Sequence, residues 1–151
     1  MGDRLEIGII HGSRWGAGLK CCSYLKEKFS SLGHDVKVTS VSETDPKTYT
    51  LPDILIISTP VYMSFSRMKV RRAAKAIAAR GGGRAFAVLQ TGGTEKIQRD
   101  RISLIMERQG WKRTAPTIKV LVSEKEKGEL RPGWEEKISE FVDSVLSSKG
   151  K

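Results

Sequence analysis

Cysteine is almost absent from this sequence: the chain has two, and they are the adjacent Cys21 and Cys22. Neighbours in sequence rarely bridge, so neither a disulfide framework nor a cysteine-based metal site is expected, and a reducing cytoplasm is the expected compartment. Long hydrophobic runs are missing as well. Runs such as Ile54 to Ile57 are far too short to span a bilayer, so no membrane partner is expected. The opening Met-Gly-Asp-Arg leads into a strand-like run with no apolar segment before a cleavage site, so no secretion signal is read. The two histidines lie far apart in the pattern, and neither has a cysteine close in sequence. His34 reads as a surface turn residue and His11 as a structural one. With no Ser-His-Asp set, no paired acids and no metal-ligand spacing, no catalytic and no metal-binding residue is assigned. No fixed-period repeat, low-complexity tract or second domain is visible.

Acidic residues are also scarce relative to basic ones, 17 against 27, which leaves a net charge of +10. Such a surplus favours acidic partners without naming one. What remains is 151 residues with 38% hydrophobic and 29% charged content. That describes one soluble globular domain over residues 1–151, with about 147–151 as a frayed tail.

The apolar pattern switches between strand-like and helix-like runs. Leu5 to Ile10 reads as a first strand. Leu19, Cys22, Leu25, Phe29 and Leu32 follow at helical spacing, closed by Gly33. Asp35 to Val41 alternates imperfectly, as an edge strand would. The polar connection Thr44 to Pro52 carries no clear helix, though it has room for a short one. Asp53 to Thr59 is a β-branched run of the kind buried on both faces. Val70, Ala73, Ala74, Ile77 and Ala78 mark a helix ended by Gly81, Gly82 and Gly83. Ala85 to Gln90 reads as a fourth strand, a helix runs from Ile97 to Arg108 with Gly110 behind it, and Thr117 to Val122 reads as a fifth strand. A last helix carries Trp134, Ile138, Phe141, Val142 and Val145, with Pro132 near its start. Alternating strands and helices predict an α/β fold with a parallel sheet covered on both faces.

In open α/β sheets ligands bind outside the carboxyl ends of the strands, and three turns there are unusual. The first is His11-Gly-Ser-Arg-Trp-Gly-Ala-Gly18. Its glycines let backbone amides approach an anion, and the following helix start offers unpaired donors. It matches neither the dinucleotide fingerprint nor the Walker loop. It reads as a phosphate cradle or as a plain tight turn. The second, Thr59-Pro-Val-Tyr-Met-Ser-Phe-Ser66, puts Tyr62, Met63 and Phe65 in a loop. They either stack on a planar ligand or fold back on the core or on a neighbouring subunit. The third, Thr91-Gly-Gly-Thr94, either bonds the polar edge of a ring or is a simple link.

These segments together resemble the flavodoxin-like family. Ile9 to Gly18 is similar to the phosphate loop that follows strand one in flavodoxins, with Ser13 and Gly16 on the pattern. Trp15 stands where a second hydroxyl residue is expected and Gly18 where the last threonine is expected. Arg14 can offset the lost hydroxyls with a charge-assisted bond. Asp53 to Tyr62 resembles the third strand and first flavin-flanking loop, and Thr91 to Thr94 falls at the second. The resemblance covers nearly the whole chain. It implies a three-layer sandwich with a five-stranded parallel sheet in the order 2-1-3-4-5. It further implies FMN as cofactor, held by Ser13, Arg14, Trp15, Gly16, Ala17 and Gly18; by Thr59, Pro60, Val61, Tyr62, Met63, Ser64 and Phe65; and by Thr91, Gly92, Gly93 and Thr94.

Three functions follow. The first is a flavoprotein in electron transfer. The second is an FMN-dependent NAD(P)H or quinone oxidoreductase of the same fold, although no dinucleotide motif is present. The third is a non-flavin module binding nucleic acid or another acidic partner, disfavoured because no nucleic-acid motif and no interleaved aromatics accompany the basic residues. Arg67, Lys69, Arg71, Arg72, Lys75, Arg80 and Arg84 form a stretch with no acid among them. It is either a solvated outer face or a docking patch for an acidic redox protein. A monomer and a dimer remain equally open.

Overall fold

A computed structural model describes residues 4–12, 16–60, 65–93, 100–123 and 129–149, excepting the side chains of 65–67 and 148–149. The chain runs β1 (Glu6–His11), α1 (Ala17–Ser31), β2 (Asp35–Ser40), β3 (Ile54–Pro60), α2 (Phe65–Ala78), β4 (Ala85–Gly92), α3 (Arg101–Arg108), β5 (Lys112–Arg113), β6 (Ile118–Leu121) and α4 (Trp134–Lys149). All strands pair in parallel in the order β2-β1-β3-β4-β5, and β6 also pairs with β4. This is the α/β sheet order 2-1-3-4-5 that the sequence predicts, with the fifth position shared by two short strands.

Alternation along the strands sorts the core into two halves. Ile7 and Ile9 of β1, Ile54 and Ile56 of β3, and Ala85, Ala87 and Leu89 of β4 pack beneath α1 and α4, against Cys22, Leu25, Phe29, Ile138 and Phe141. The intervening Ile10, Leu55, Ile57, Phe86 and Val88 pack beneath α2 and α3, against Val70, Ala74, Ile77, Ile102 and Met106. Every residue of β3 and β4 is buried, as the continuous β-branched run requires of central strands, whereas β2 at the edge is only half covered. Burying one Val, Leu or Ile side chain contributes about 1.5–3 kcal/mol, so these two layers fix the sheet.

Several boundaries differ from the sequence reading. β3 starts at Ile54 and extends through Pro60, and Val41 leaves β2 to open a 3-10 turn, Val41–Glu43, in the second crossover. The helix expected from Ile97 is resolved as Arg101–Arg108, Ile97 itself lying outside the described residues. The final helix continues to Lys149, into residues read as a tail.

The fifth strand shows the largest difference. Ala85 and Phe86 of β4 pair with Lys112 and Arg113, but Leu89 pairs with Ile118. Two extra residues therefore sit on the outer side, and the strand is broken over Thr114–Thr117. The detour is held by Thr114, whose amide and hydroxyl both donate to the Phe86 carbonyl, at 2.9 and 3.2 Å. Asp100 holds its other end. Its carboxylate caps α3 through the Ser103 amide at 3.1 Å, accepts from the Ser103 hydroxyl at 2.7 Å and from the Thr117 hydroxyl, and faces Arg113 at 3.6 Å.

Candidate functional site

The strands change character toward their carboxyl ends. Among the described residues, eight polar side chains are buried, and six of them lie there: His11, Ser58, Thr59, Gln90, Thr91 and Lys119. A buried polar group costs stability unless it is bonded, so their concentration at one end marks the sheet's chemical edge. Alternation divides them. His11, Ser58 and Thr91 continue the α1/α4 face, while Thr59, Gln90 and Lys119 stand in one row on the α2/α3 face, in register across β3, β4 and β6. Lys119 is 2% exposed, and burial lowers its pKa from the ordinary lysine value. The sequence reading passed over Lys119 and Gln90, which looked like ordinary polar residues in strands; the signal available was only their place near the strand ends.

Gly16 leads into α1 with φ +83° and ψ −144°, a backbone region that favours glycine over any L side chain. It accepts the first helical bond from the Lys20 amide at 3.1 Å. Among the described residues no side chain caps this helix start, and its first turn carries no acid. Ala17 and Gly18 are buried in that turn, so the amides and the positive end of the helix dipole stand beside the carboxyl end of β1. The arrangement suits an anion.

Thr91 and Gly92, read as a turn, are the last residues of β4; Thr91 pairs with Pro60 and Val120, and Gly92 with Leu121. The turn proper starts at Gly93, whose carbonyl accepts from the Arg131 guanidinium at 2.9 Å. Arg131 also donates to the Val122 carbonyl at 2.9 Å, so it ties the ends of β4 and β6 to the segment before α4. Lys20 of α1 meets Glu129 in the same segment, at 2.5 Å. Neither Arg131 nor Glu129 carries a local sequence signal, because the tie exists only across the folded sheet.

Of the residues that the sequence reading placed at the site, Gly16, Ala17, Gly18, Thr59, Pro60, Thr91, Gly92 and Gly93 fall at the carboxyl ends of β1, β3 and β4 or at the start of α1. Ser13, Arg14, Trp15, Val61, Tyr62, Met63, Ser64 and Thr94 lie outside the described residues, as does the side chain of Phe65. His34 differs from its expected role as a surface turn residue. It is half-buried, and its Nδ1 accepts from the Leu5 amide at 3.1 Å, bracing the entry to β1.

Cys21 and Cys22 are both buried beneath α1. Burial pushes the Cys21 thiol up to about 12, with the neighbouring Cys22 adding to it, and the Cys22 thiol up to about 11, against a hydrogen bond from Ser58. They are packing groups, as expected of Cys22 from the helical stripe. A cavity of about 370 Å³ lies at the opposite, amino end of the sheet, between Gly8, Val36, Tyr49 and Pro52. Among the described residues no helix is long and apolar enough to cross a membrane.

No family model and no curated protein matches the sequence. Solved structures do match. The flavodoxin of Streptococcus pneumonia TIGR4 superposes with a TM-score of 0.74 at 17% identity, covering 94% of this chain and 98% of that one. The oxidised flavodoxin 1 of Bacillus cereus gives 0.75 at 12% identity, over 94% and 97%. A variant of the Fusobacterium nucleatum flavodoxin, bound to flavin mononucleotide, gives 0.70 at 13% identity, over 95% and 96%. At these identities the likeness is one of architecture, and with the sheet order above it shows that the chain has the flavodoxin-like fold.

Proposed function

We propose that this chain binds FMN at the carboxyl end of its sheet and transfers electrons. The observation that carries the reading is the opening of α1: a glycine in a backbone region that side chains avoid, no capping side chain among the described residues, and no acid in the first turn. That end of a helix bonds a phosphomonoester through backbone amides. In this reading the amides of Ala17 and Gly18 hold the phosphate, with Ser13 and Arg14 adding side-chain donors. Thr59 and Pro60 lead into Val61, Tyr62, Met63, Ser64 and Phe65, which supply flat and apolar surface for the ring, and Thr91 to Thr94 present amides to its polar edge. The residues present suit the group: glycine where backbone must approach closely, and hydroxyls and amides where the ring is polar. Bound FMN supplies reversible electron uptake, and the protein orients it and limits its contact with water.

The compared flavodoxins support this reading by fold, and one of them was solved with FMN. The buried, protonated thiols suit a reducing cytoplasm. The visible absorption spectrum tests the proposal. Protein incubated with FMN and then desalted is expected to stay yellow, and a colourless product would overturn the reading. Steady turnover of NADPH by the yellow protein alone would move it from carrier to oxidoreductase.

A further inference from the structure

The surplus of positive charge is not spread over the molecule. Residues 65–113 contain 13 Lys and Arg against three Asp and Glu, and the remaining 102 residues contain 14 of each. The whole net charge of +10 therefore belongs to the segment from α2 to β5. Its two helices pack on the same side of the sheet. The buried positions Val70, Ala73, Ala74, Ile77 and Ala78 turn inward, leaving Lys69, Arg72 and Lys75 of α2 in solvent. In α3, Ile102 and Met106 turn inward and Arg101 and Arg108 are exposed, with Lys112 just beyond. Among the described residues of this segment Glu107 is the one exposed acid, since Asp100 is half-buried and engaged with Ser103, Thr117 and Arg113.

Two further features distinguish the face from a merely solvated one. Met68 and Leu104 are 44% and 54% exposed, and they are two of the three large apolar residues so exposed among those described. By helical spacing Met68 shares the outer side of α2 with Arg72 and Lys75, and Leu104 shares that of α3 with Arg101 and Arg108. Apolar residues ringed by charge, with arginine prominent, are the composition of a protein interface. No described aromatic residue is exposed there to stack on bases, as single-stranded nucleic acid would need. Arg80 and Arg84 stand apart, since they donate to the carbonyls of Pro46, Tyr49 and Pro52. The opposite face is mixed in sign, with Lys26, Glu27 and Lys28 on α1 and Glu135, Glu136 and Lys137 on α4.

We propose that the α2–α3 face docks an acidic redox protein, its cations surrounding the apolar pair Met68 and Leu104. The acidic character rests on the charge pattern, and the redox character rests on the electron-transfer reading above. α2 begins at Phe65, five residues after β3 ends at Pro60, so Met68 and Lys69 border the carboxyl end of the sheet, and the face runs from there along α2 and α3 toward Arg108 and Lys112 at the amino end. Contacts of this class are small and transient, and a basic partner is refused by like-charge repulsion.

Calorimetric titration of the full FMN-treated chain with an acidic plant-type [2Fe–2S] ferredoxin tests the surface directly. Binding at low salt that weakens about tenfold or more at moderate salt is expected. The pair Arg72→Glu and Arg108→Glu is expected to weaken it about tenfold at low salt, while Lys26→Glu and Lys137→Glu on the opposite face change it less than about twofold. Circular dichroism and flavin content are read on each variant, which keeps a folding or cofactor defect apart from a docking defect. No binding at low salt, equal effects of the two variant pairs, or tighter binding of duplex DNA or phosphatidylserine vesicles than of ferredoxin would overturn the proposal. Salt-sensitive binding by a chain that takes up no flavin would keep the surface and remove the electron-transfer reading.

Discussion

Arg131 reaches from the segment before α4 to the carbonyl of Gly93, 38 residues away in sequence, and closes the distance to 2.9 Å. The same guanidinium holds the Val122 carbonyl. One side chain thus sets the position of the turn after β4 relative to the end of β6. Hydrogen bonds to a charged donor contribute about 1.5–3 kcal/mol each when well formed. Arg131→Ala is expected to lower the stability of the FMN-free protein by about 1–3 kcal/mol and, on the proposed reading of the turn after β4 as ring-flanking, to weaken FMN binding because that turn loses its anchor. Urea unfolding and flavin-fluorescence titration measure the two effects separately. Unchanged FMN affinity in the variant would remove Gly93 from the site.

Two glycine substitutions separate stability from binding. Gly16→Ala places a side chain at φ +83° and is expected to cost about 1–3 kcal/mol of strain while reducing FMN affinity. Gly82 lies at the other end of the sheet, where an added Cβ would come within 2.6 Å of the Gln109 carbonyl oxygen. Gly82→Ala is expected to destabilise by a similar 1–3 kcal/mol or so and to leave FMN affinity unaltered once the protein is folded. Equal losses of affinity in both variants would show that the first turn has no special role.

The buried thiols set an alkaline limit. Cys21 and Cys22 rise from an ordinary value of 9.0 to about 12 and about 11, and Tyr49 rises from 10.0 to about 12, in each case chiefly through desolvation. A group whose folded value is raised contributes stability that is whole below its unfolded value and lost as pH climbs toward its folded value. Stability is therefore expected to be indifferent to these groups below pH 9 and to fall between pH 9 and 12. Denaturant midpoints across that range check the sign. At pH 8 a thiol reagent such as Ellman's is expected to find no fast-reacting cysteine in the native protein and both in denaturant.

Asp100 joins the cap of α3 to the broken fifth strand. Asp100→Ala removes the Ser103 amide bond, the Thr117 hydroxyl bond and the Arg113 ion pair together, and is expected to destabilise by about 1–2 kcal/mol. Asp100→Asn keeps a competent cap and is expected to recover at least half of that loss. Thermal unfolding of the two variants makes the comparison, and identical losses would mean that the Arg113 charge, not the cap, dominates.

The central strands were legible because their information is local. Ile54 to Ile57 cannot be solvated on either face, and the helical stripes of Leu25, Phe29, Val70 and Ile77 fix which side of each helix covers them. Strand order followed from the alternation of elements and the family resemblance. The breaks were illegible because their causes are distant. Lys112 and Arg113 are exposed and polar and join the sheet only through Ala85 and Phe86. The detour after them is fixed by Asp100 and Phe86, neither of which is its neighbour in sequence. Thr91 and Gly92 looked like a turn because glycine pairs usually break strands, yet β6 holds Gly92 in register through Leu121. His34 looked like an unattached turn residue until the fold brought Leu5 beside it. The glycine-bearing turn into α1 was legible as a tight strand-to-helix turn from residue types alone, whereas the row Thr59, Gln90 and Lys119 emerges only when three strands lie side by side.

The partition of charge between the two sides of the sheet has a kinetic consequence. With the net charge falling in residues 65–113 and the remainder balanced, the exposed cations of α2 and α3 give the molecule a dipole whose positive end lies on their side of the sheet. Near an anion-rich body it experiences a torque as well as an attraction, so it turns α2 and α3 forward before surfaces touch. Productive collisions then form a larger share of all collisions than chance orientation would allow, and that advantage fades as the screening length contracts.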